Sequence, residues 1–143
     1  KWRAQDPKRQ EYRLVVSSKK YSEEPGVLST GTLKDEDWVP LVSQAAALLF
    51  PSLYEGFGLP VIEALATGTA VIASDLPVFR EVGGSSVAYF DPSDPGQLAE
   101  LIEQVTSTSD CPADRVARMA AARRFDWQSS AAIVAQRLQG FES

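Results

Sequence analysis

The chain has 143 residues, of which 44% are hydrophobic and 23% are charged, and its formal net charge is -5. That length suits one domain with a buried core, and the acidic balance excludes general binding to nucleic acid or anionic membranes, which needs clustered Lys and Arg. The sequence has no histidine and one cysteine, Cys111, which excludes histidine catalysis, histidine metal sites and internal disulfides.

The low cysteine content also indicates a reducing compartment, so a cytoplasmic location is predicted. No apolar stretch reaches the roughly 20 residues of a membrane-spanning helix, and the N-terminus lacks a signal-peptide pattern. Because the chain begins at Lys1 without a methionine, we expect it to be a piece of a longer protein. Any peripheral association with a membrane is expected to involve the part of the protein outside this chain.

Short apolar runs alternate with segments of helical periodicity along the chain. The runs lack the polar alternation of a half-buried strand, which is typical of parallel strands covered on both faces. Strands are predicted at residues 13–17, 27–33, 46–50, 70–74 and 86–90. Helices are predicted after Asp35 as N-cap, over 60–66 with a left-handed cap at Gly68, over 78–82, from Pro95 to about residue 105, and over 113–124 and 127–139. This order predicts an α/β fold, a Rossmann-like parallel sheet with helices on both faces plus C-terminal helices, in which Trp127 anchors the last helix.

One stretch, residues 51–60, carries most of the chemistry that the composition allows. An apolar strand enters a loop containing Gly56 and Gly58, and Pro60 suits the first position of the following helix. Such a loop presents backbone N–H groups and the positive end of a helix dipole at the edge of the sheet where ligands bind, which suits a phosphate. Glu55 precedes the glycines and Glu63 lies in the predicted first helical turn, with seven residues between them.

The residue types of this loop leave three interpretations open. In the first, the N–H groups of residues 56–59 bind a phosphate or sugar hydroxyls, Glu63 accepts two hydrogen bonds from a ribose, and Glu55 binds a second sugar. In the second, the glycines only form a tight strand-to-helix turn, and Glu63 is an acid favoured by the helix N-terminus. The third is a hydrolase with paired carboxylates, although that chemistry needs no glycines between the two acids.

Four segments of the chain resemble a known family. They are residues 50–68 (FPSLYEGFGLPVIEALATG), 70–74 (AVIAS), 80–84 (REVGG) and 90–94 (FDPSD), and they are similar to the C-terminal half of the family 4 retaining glycosyltransferases of the GT-B fold. The two glutamates separated by seven residues match the motif of that family. Gly31 with Leu33 resembles a glycine of its third strand, and residues 124–127 (RFDW) resemble the segment before its final helix.

The resemblance implies a site for a nucleotide-diphosphate sugar linked to UDP, GDP or ADP, which is a substrate, and no separate cofactor is expected. No metal is expected either, because the chain shows no carboxylate pair with metal-ligand spacing on an adjacent strand end. Glu63 would bind the ribose hydroxyls, and Glu55, the candidate catalytic residue, would bind hydroxyls of the donor sugar. The loop backbone would contact the sugar and the diphosphate. The implied donor-binding residues are Glu55, Gly56, Phe57, Gly58, Leu59 and Glu63, with Gly31, Thr32 and Leu33 beside the base.

The resemblance further implies that residues 1–143 form a single nucleotide-sugar-binding domain of a longer enzyme. That enzyme would transfer the sugar to an acceptor hydroxyl with retention of the anomeric configuration. The family's acceptor-binding N-terminal half, and the first strand with the basic residues that neutralise the diphosphate, have no counterpart in this chain. The chain alone is therefore expected to be inactive. A non-catalytic sugar-nucleotide-binding module and a GT-B-type nucleotide-sugar epimerase are the alternatives.

Overall fold

Short parallel strands alternate with α-helices along the chain, as the apolar runs predict. The structure, a computed structural model, describes residues 7–21 and 24–139. The chain divides into two compact units, with the boundary after Leu41. Helix α1 (Asp35–Gln44) begins in the first unit and ends in the second. Asp35 is its first residue rather than its N-cap, because the N–H of Trp38 donates to the carbonyl of Lys34 at 2.9 Å.

The first unit contains a 3-10 helix (Pro7–Glu11) and two parallel strands, β1 (Leu14–Val16) and β2 (Val27–Ser29). Both strands fall within the predicted ranges, but β2 ends earlier than predicted. The reason is Gly31, whose φ of 71° is left-handed and cannot continue an extended strand.

The second unit contains a parallel sheet of β3 (Ala47–Phe50), β4 (Ala70–Ser74) and β5 (Ala88–Phe90), in that order. Residues 71–74 of the central strand are exposed by 3% or less. Because successive residues of a strand face opposite sides of the sheet, both faces of β4 are covered. Strand β5 starts two residues later than predicted, since residues 84–86 form a 3-10 turn.

Helices cover this sheet and continue past it to the end of the described chain. They are α2 (Leu59–Ala66), α3 (Pro77–Gly83), α4 (Pro95–Ser107), α5 (Pro112–Ala122) and α6 (Trp127–Gln139). Helix α2 contacts β3 and β4, and α4 contacts β4 and β5. The Rossmann-like α/β prediction is therefore confirmed. Within residues 7–21 and 24–139, no helix is both long and apolar enough to cross a membrane.

Proline and aspartate fix where several helices start. The first residue of α3, α4 and α5 is in each case a proline, in a position that needs no N–H group. Asp94 caps α4, because its carboxylate accepts hydrogen bonds from the N–H groups of Gly96 and Gln97 at 2.9 and 3.1 Å. These local rules explain why helix starts were predicted closely.

Helix α2 ends in a Schellman motif, as its predicted left-handed cap requires. Gly68 has a φ of 79°, and its N–H donates to the Leu65 carbonyl at 2.9 Å. The N–H of Thr69 donates to the Ala64 carbonyl, also at 2.9 Å. This pair of hydrogen bonds satisfies two carbonyls that the helix itself leaves without a donor.

Two arginines of α5 bind the next carbonyls at the same helix end. The Arg115 guanidinium donates to the Thr67 carbonyl at 2.8 Å, and Nε of Arg118 donates to the Gly68 carbonyl at 2.7 Å. The Arg118 side chain is only 11% exposed and also forms an ion pair with Asp110. Helix α5 is therefore attached to the end of α2 by charged hydrogen bonds.

Arg118→Ala is expected to lower the free energy of unfolding by about 2 kcal/mol, because a largely buried, charged hydrogen bond is lost and the Gly68 carbonyl loses that donor. Urea denaturation measures the change. Arg137→Ala, on the exposed helix α6, is the matched control and should stay within about 0.5 kcal/mol of the unmodified protein. Equal stability of the two variants would show that the Arg118 contact contributes nothing.

Candidate functional site

The loop of residues 51–58 connects the carboxyl end of β3 to the start of α2, at the sheet edge where parallel α/β proteins bind ligands. Its first half is fixed by Ser52. The Ser52 hydroxyl lies 3.0 Å from Oε1 of Glu55 and 3.1 Å from the carbonyl oxygen of Tyr54. Glu55 is half-buried, so its carboxylate is held at the start of the loop and remains reachable from solvent.

Gly58 is required by two features of the backbone at the start of α2. Its φ and ψ of 93° and 46° are left-handed, which disfavours residues with a Cβ atom. A Cβ atom on Gly58 would also lie 2.8 Å from Cε1 of Phe79. Phe79 is fully buried and packs edge-on against Phe50, with 5.4 Å between ring centroids. The loop backbone therefore rests directly on a ring of the core.

Gly56 differs from Gly58, and here one sequence argument is wrong. The φ of Gly56 is outside the left-handed region, so this position does not need a glycine for its backbone angles. Apart from its two chain neighbours, a Cβ atom on Gly56 would meet no atom of the described residues within 4 Å. The open space instead leaves the main chain of the loop accessible to a ligand.

The backbone N–H groups of Gly56, Phe57, Gly58 and Leu59 donate to no protein acceptor within the described part of the chain. The carbonyl of Gly58 starts the helix by accepting from Val61 at 3.0 Å. N–H groups at this end carry the partial positive charge of the helix dipole. The loop is thus able to hold an anion through its main chain.

Glu63 lies farther along α2 than the sequence predicts. The helix starts at Leu59, with Pro60 second, so Glu63 is the fifth helical residue and no acid occupies the first turn. The helix dipole acts mainly within that turn, so the interpretation of Glu63 as a dipole-stabilising acid is weakened. Val61, Ala64 and Leu65 face the core, and Glu63 is exposed.

A second aromatic contact holds the middle of the loop. The ring of Phe57 packs edge-on against Phe125, with 5.8 Å between centroids and an interplanar angle of 86°. The neighbouring Arg124 donates to the carbonyls of Glu81 and Val82, at 2.6 and 2.5 Å, at the C-terminal end of α3. Sequence reasoning missed this contact, because Phe57 and Phe125 are far apart in the chain.

The prediction that Trp127 anchors the last helix is wrong, since its side chain is 79% exposed. Asp126 caps α6 instead, and its carboxylate accepts from the N–H of Ser129 at 2.8 Å. Hydrogen bonds from Ser129 hold the pKa of Asp126 below its usual value. The packing residue of this segment is Phe125.

The sequence also gave no indication of an ion pair beside the central strand. Asp75 follows β4 directly, and its two carboxylate oxygens lie 2.5 and 2.7 Å from Nε and Nη2 of Arg80. The hydrogen bond lowers the pKa of Asp75 and raises the pKa of Arg80. Arg80 in turn lies over the ring of Tyr89, with its Cζ 4.7 Å from the centroid. Charges five positions apart match no helical pairing rule, so no local signal predicts this cluster.

The structure brings the predicted residues Glu55, Gly56, Phe57, Gly58, Leu59 and Glu63 together at the start of α2. Gly31, Thr32 and Leu33 lie in the first unit, after β2, where Gly31 is buried beside Lys19. Their position beside a base stays a prediction. Within the described ranges, no group of three or more acidic or cysteine side chains is placed to hold a metal ion.

Comparison with known proteins finds a family match and relatives that are named as transferases of sugars. The chain matches the family described as "Glycosyl transferases group 1" over residues 7–124. The O-antigen chain mannosyltransferase RfbU of Salmonella typhimurium is 44% identical over 70 residues, which are 49% of this chain and 20% of that protein. The MMP alpha-(1->4)-mannosyltransferase of Mycolicibacterium hassiacum is 35% identical over 111 residues, which are 74% of this chain and 27% of that protein.

Among solved structures, sucrose-phosphate synthase from Thermosynechococcus elongatus is similar with a TM-score of 0.70 and 27% identity, over 87% of this chain and 32% of that one. This similarity supports the predicted half of a GT-B fold. The chain spans less than a third of the length of each of these three proteins. The family match includes the whole loop from β3 to α2 and both glutamates. The chain therefore belongs to the group 1 glycosyl transferases.

Proposed function

We propose that this chain is the donor-binding part of an enzyme that transfers a sugar from a nucleotide-diphosphate sugar to an acceptor hydroxyl, with retention of the anomeric configuration. The observation that carries the proposal is the arrangement of polar groups at the start of α2. There a left-handed Gly58 opens the helix, the N–H groups of residues 56–59 donate to no other described group, and two carboxylates flank them. That set of groups matches a ligand with a diphosphate between two polyhydroxylated rings.

Each part of the donor has a counterpart in this arrangement. The loop N–H groups bind the diphosphate, and Glu55 binds the donor sugar. Glu63, which is exposed on α2 one turn beyond the loop, binds the ribose. As the sugar leaves, negative charge grows on the diphosphate, and fixed N–H dipoles stabilise that charge without having to reorganise. The glutamates contribute by orienting the donor for attack.

The acceptor, in this proposal, is bound by the rest of the protein. Two of the relatives above are named as mannosyltransferases, so mannose is the first sugar to test. The single cysteine supports a cytoplasmic location. The ion pair of Asp75 with Arg80 follows the neighbouring strand β4 and lies at the same edge of the sheet.

The experiment is a calorimetric titration of the full-length protein with mannose and glucose linked to UDP, GDP and ADP, followed by a transfer assay with the donor that binds. Binding of one nucleotide sugar in the micromolar range, with release of the nucleoside diphosphate in the presence of an acceptor, is expected. Binding without transfer or donor hydrolysis would favour a non-catalytic module, and conversion of the donor without acceptor would favour an epimerase. If no donor binds at millimolar concentration, the proposal fails.

Glu63→Ala is expected to weaken donor affinity by about 1–3 kcal/mol, or roughly fivefold to 150-fold, because charged hydrogen bonds to the ribose are lost. Glu63→Gln keeps one acceptor oxygen, so its donor affinity should lie between that of the unmodified protein and that of Glu63→Ala. Glu100→Ala removes an exposed glutamate from α4 and is the matched control, with affinity unchanged. The same calorimetric titration measures all three, and unchanged affinity in Glu63→Ala would remove this residue from the ribose site.

A further inference from the structure

Phe57 is the single residue between the two loop glycines, Gly56 and Gly58. Glycines on both sides leave the backbone there with more conformational freedom than any other pair of neighbours would. The ring of Phe57 is therefore the side chain through which a neighbouring residue can restrain the loop between the two glycines. It is 45% exposed, so part of the ring is covered and part is not.

The covered part contacts Phe125, which lies in the same unit but 68 positions later in the sequence. The two rings are edge-to-face, with centroids 5.8 Å apart, which is a favourable aromatic geometry. The ring pair with Phe57 is the contact through which Phe125 meets the donor loop. Its influence on the loop runs through Phe57.

Phe125 is itself fixed on both sides along the chain. Arg124 donates to the last carbonyls of α3, those of Glu81 and Val82, and its guanidinium carbon lies 4.9 Å from the centroid of the Phe125 ring. On the other side, Asp126 caps α6. The backbone that carries the Phe125 ring is therefore held by hydrogen bonds at the ends of two helices.

From this geometry we propose that Phe125 is a positioning residue for the donor loop, acting through Phe57. It selects, among the conformations that the glycines allow, the one in which the loop N–H groups are set for the donor. The proposal rests on the proposed donor site. Loss of the Phe125 ring should weaken donor binding and slow transfer, and acceptor binding should stay the same.

The test is a double-mutant cycle in the full-length protein, with donor affinity, kcat and acceptor KM as readouts. Phe125→Ala should weaken donor binding about threefold to tenfold, the range that one aromatic pair contributes. Phe57→Ala should have a similar effect. The double variant should bind about as well as Phe57→Ala alone, since in this proposal Phe125 acts on the loop only through Phe57. Phe125→Tyr keeps the ring and should restore most of the affinity.

Two controls separate this role from plain stability. Phe125→Leu keeps an apolar side chain, so a folded protein with weak donor binding is expected even if Phe125→Ala unfolds. Trp127→Ala removes an exposed aromatic residue two positions away and should leave donor affinity unchanged. If the unmodified protein binds donors and the folded Phe125 variants bind them equally well, or if the effects of Phe57→Ala and Phe125→Ala simply add, the proposal is overturned. If the unmodified protein binds no donor, the proposed function itself fails.

Discussion

Gly58→Ala is expected to destabilise the protein by about 2–4 kcal/mol and to slow sugar transfer roughly 100-fold. The left-handed backbone accounts for about 1–2 kcal/mol, because a Cβ atom at a φ of 93° meets the neighbouring carbonyl. The rest comes from the new methyl group, which would lie 2.8 Å from Cε1 of Phe79. Phe79 is buried against Phe50 and cannot move aside, so the cost is that of overpacking a core.

The loss of transfer follows from the same contact. If the ring cannot move, the loop backbone must move instead, and it carries the N–H groups proposed for the diphosphate. A displacement near 1 Å in a positioning element is enough for a 100-fold loss of rate. Urea denaturation and a transfer assay on the same preparation measure the two effects together.

Gly56→Ala is the matched control for this prediction. Its backbone is not left-handed, and apart from its chain neighbours the added methyl group meets no atom of the described residues within 4 Å. Stability should therefore change by no more than about 0.5 kcal/mol. The methyl group would nevertheless stand where a ligand approaches the main chain, and weaker donor binding is expected without loss of stability. A Gly58→Ala protein as stable as Gly56→Ala would contradict the role assigned to Phe79.

Most of the fold was predictable because its signals are local. The left-handed cap at Gly68 and the prolines that begin α3, α4 and α5 depend on backbone rules that act within one helical turn. The apolar runs that became β3 and β4 were long enough to identify, and β4 is buried on both faces as its composition indicates. The division of the strands between two sheets has no such local signal. The single-domain organisation of residues 1–143 stays a prediction.

The parts of the candidate site that were missed depend on contacts between distant residues. Trp127 has the larger apolar surface, and sequence reasoning chose it as the anchor, but the cap formed by Asp126 leaves it exposed and Phe125 packs instead. Glu63 was placed one residue too early in the helix, and so in its first turn, because α2 starts at Leu59, which no capping side chain marks. The composition of the loop was visible in the sequence, but its support from Phe79 and Phe125 required the structure.

Glu55→Ala is expected to reduce kcat for sugar transfer by about 100-fold to 1000-fold, with a smaller change in donor affinity. In the proposed site this carboxylate binds hydroxyls of the sugar that is transferred, so its loss misplaces the reacting carbon more than it weakens the nucleotide contacts. The residue is suited to that task because it is half-buried and held by the Ser52 hydroxyl at 3.0 Å. Steady-state kinetics with the donor identified by titration measure kcat and KM separately.

Ser52→Ala tests whether the hydrogen bond from the Ser52 hydroxyl to Glu55 contributes to kcat. The carboxylate remains but loses one hydrogen bond, so kcat should fall only about threefold to tenfold, and Glu55→Gln should lie between Ser52→Ala and Glu55→Ala. In the double variant Ser52→Ala/Glu55→Ala the serine change should add almost nothing, since its only proposed action is on the missing side chain. Transfer by Glu55→Ala within about twofold of the unmodified rate would exclude Glu55 from contact with the donor sugar. In that case Glu63 and the loop N–H groups would describe a nucleotide site alone, as the non-catalytic module requires.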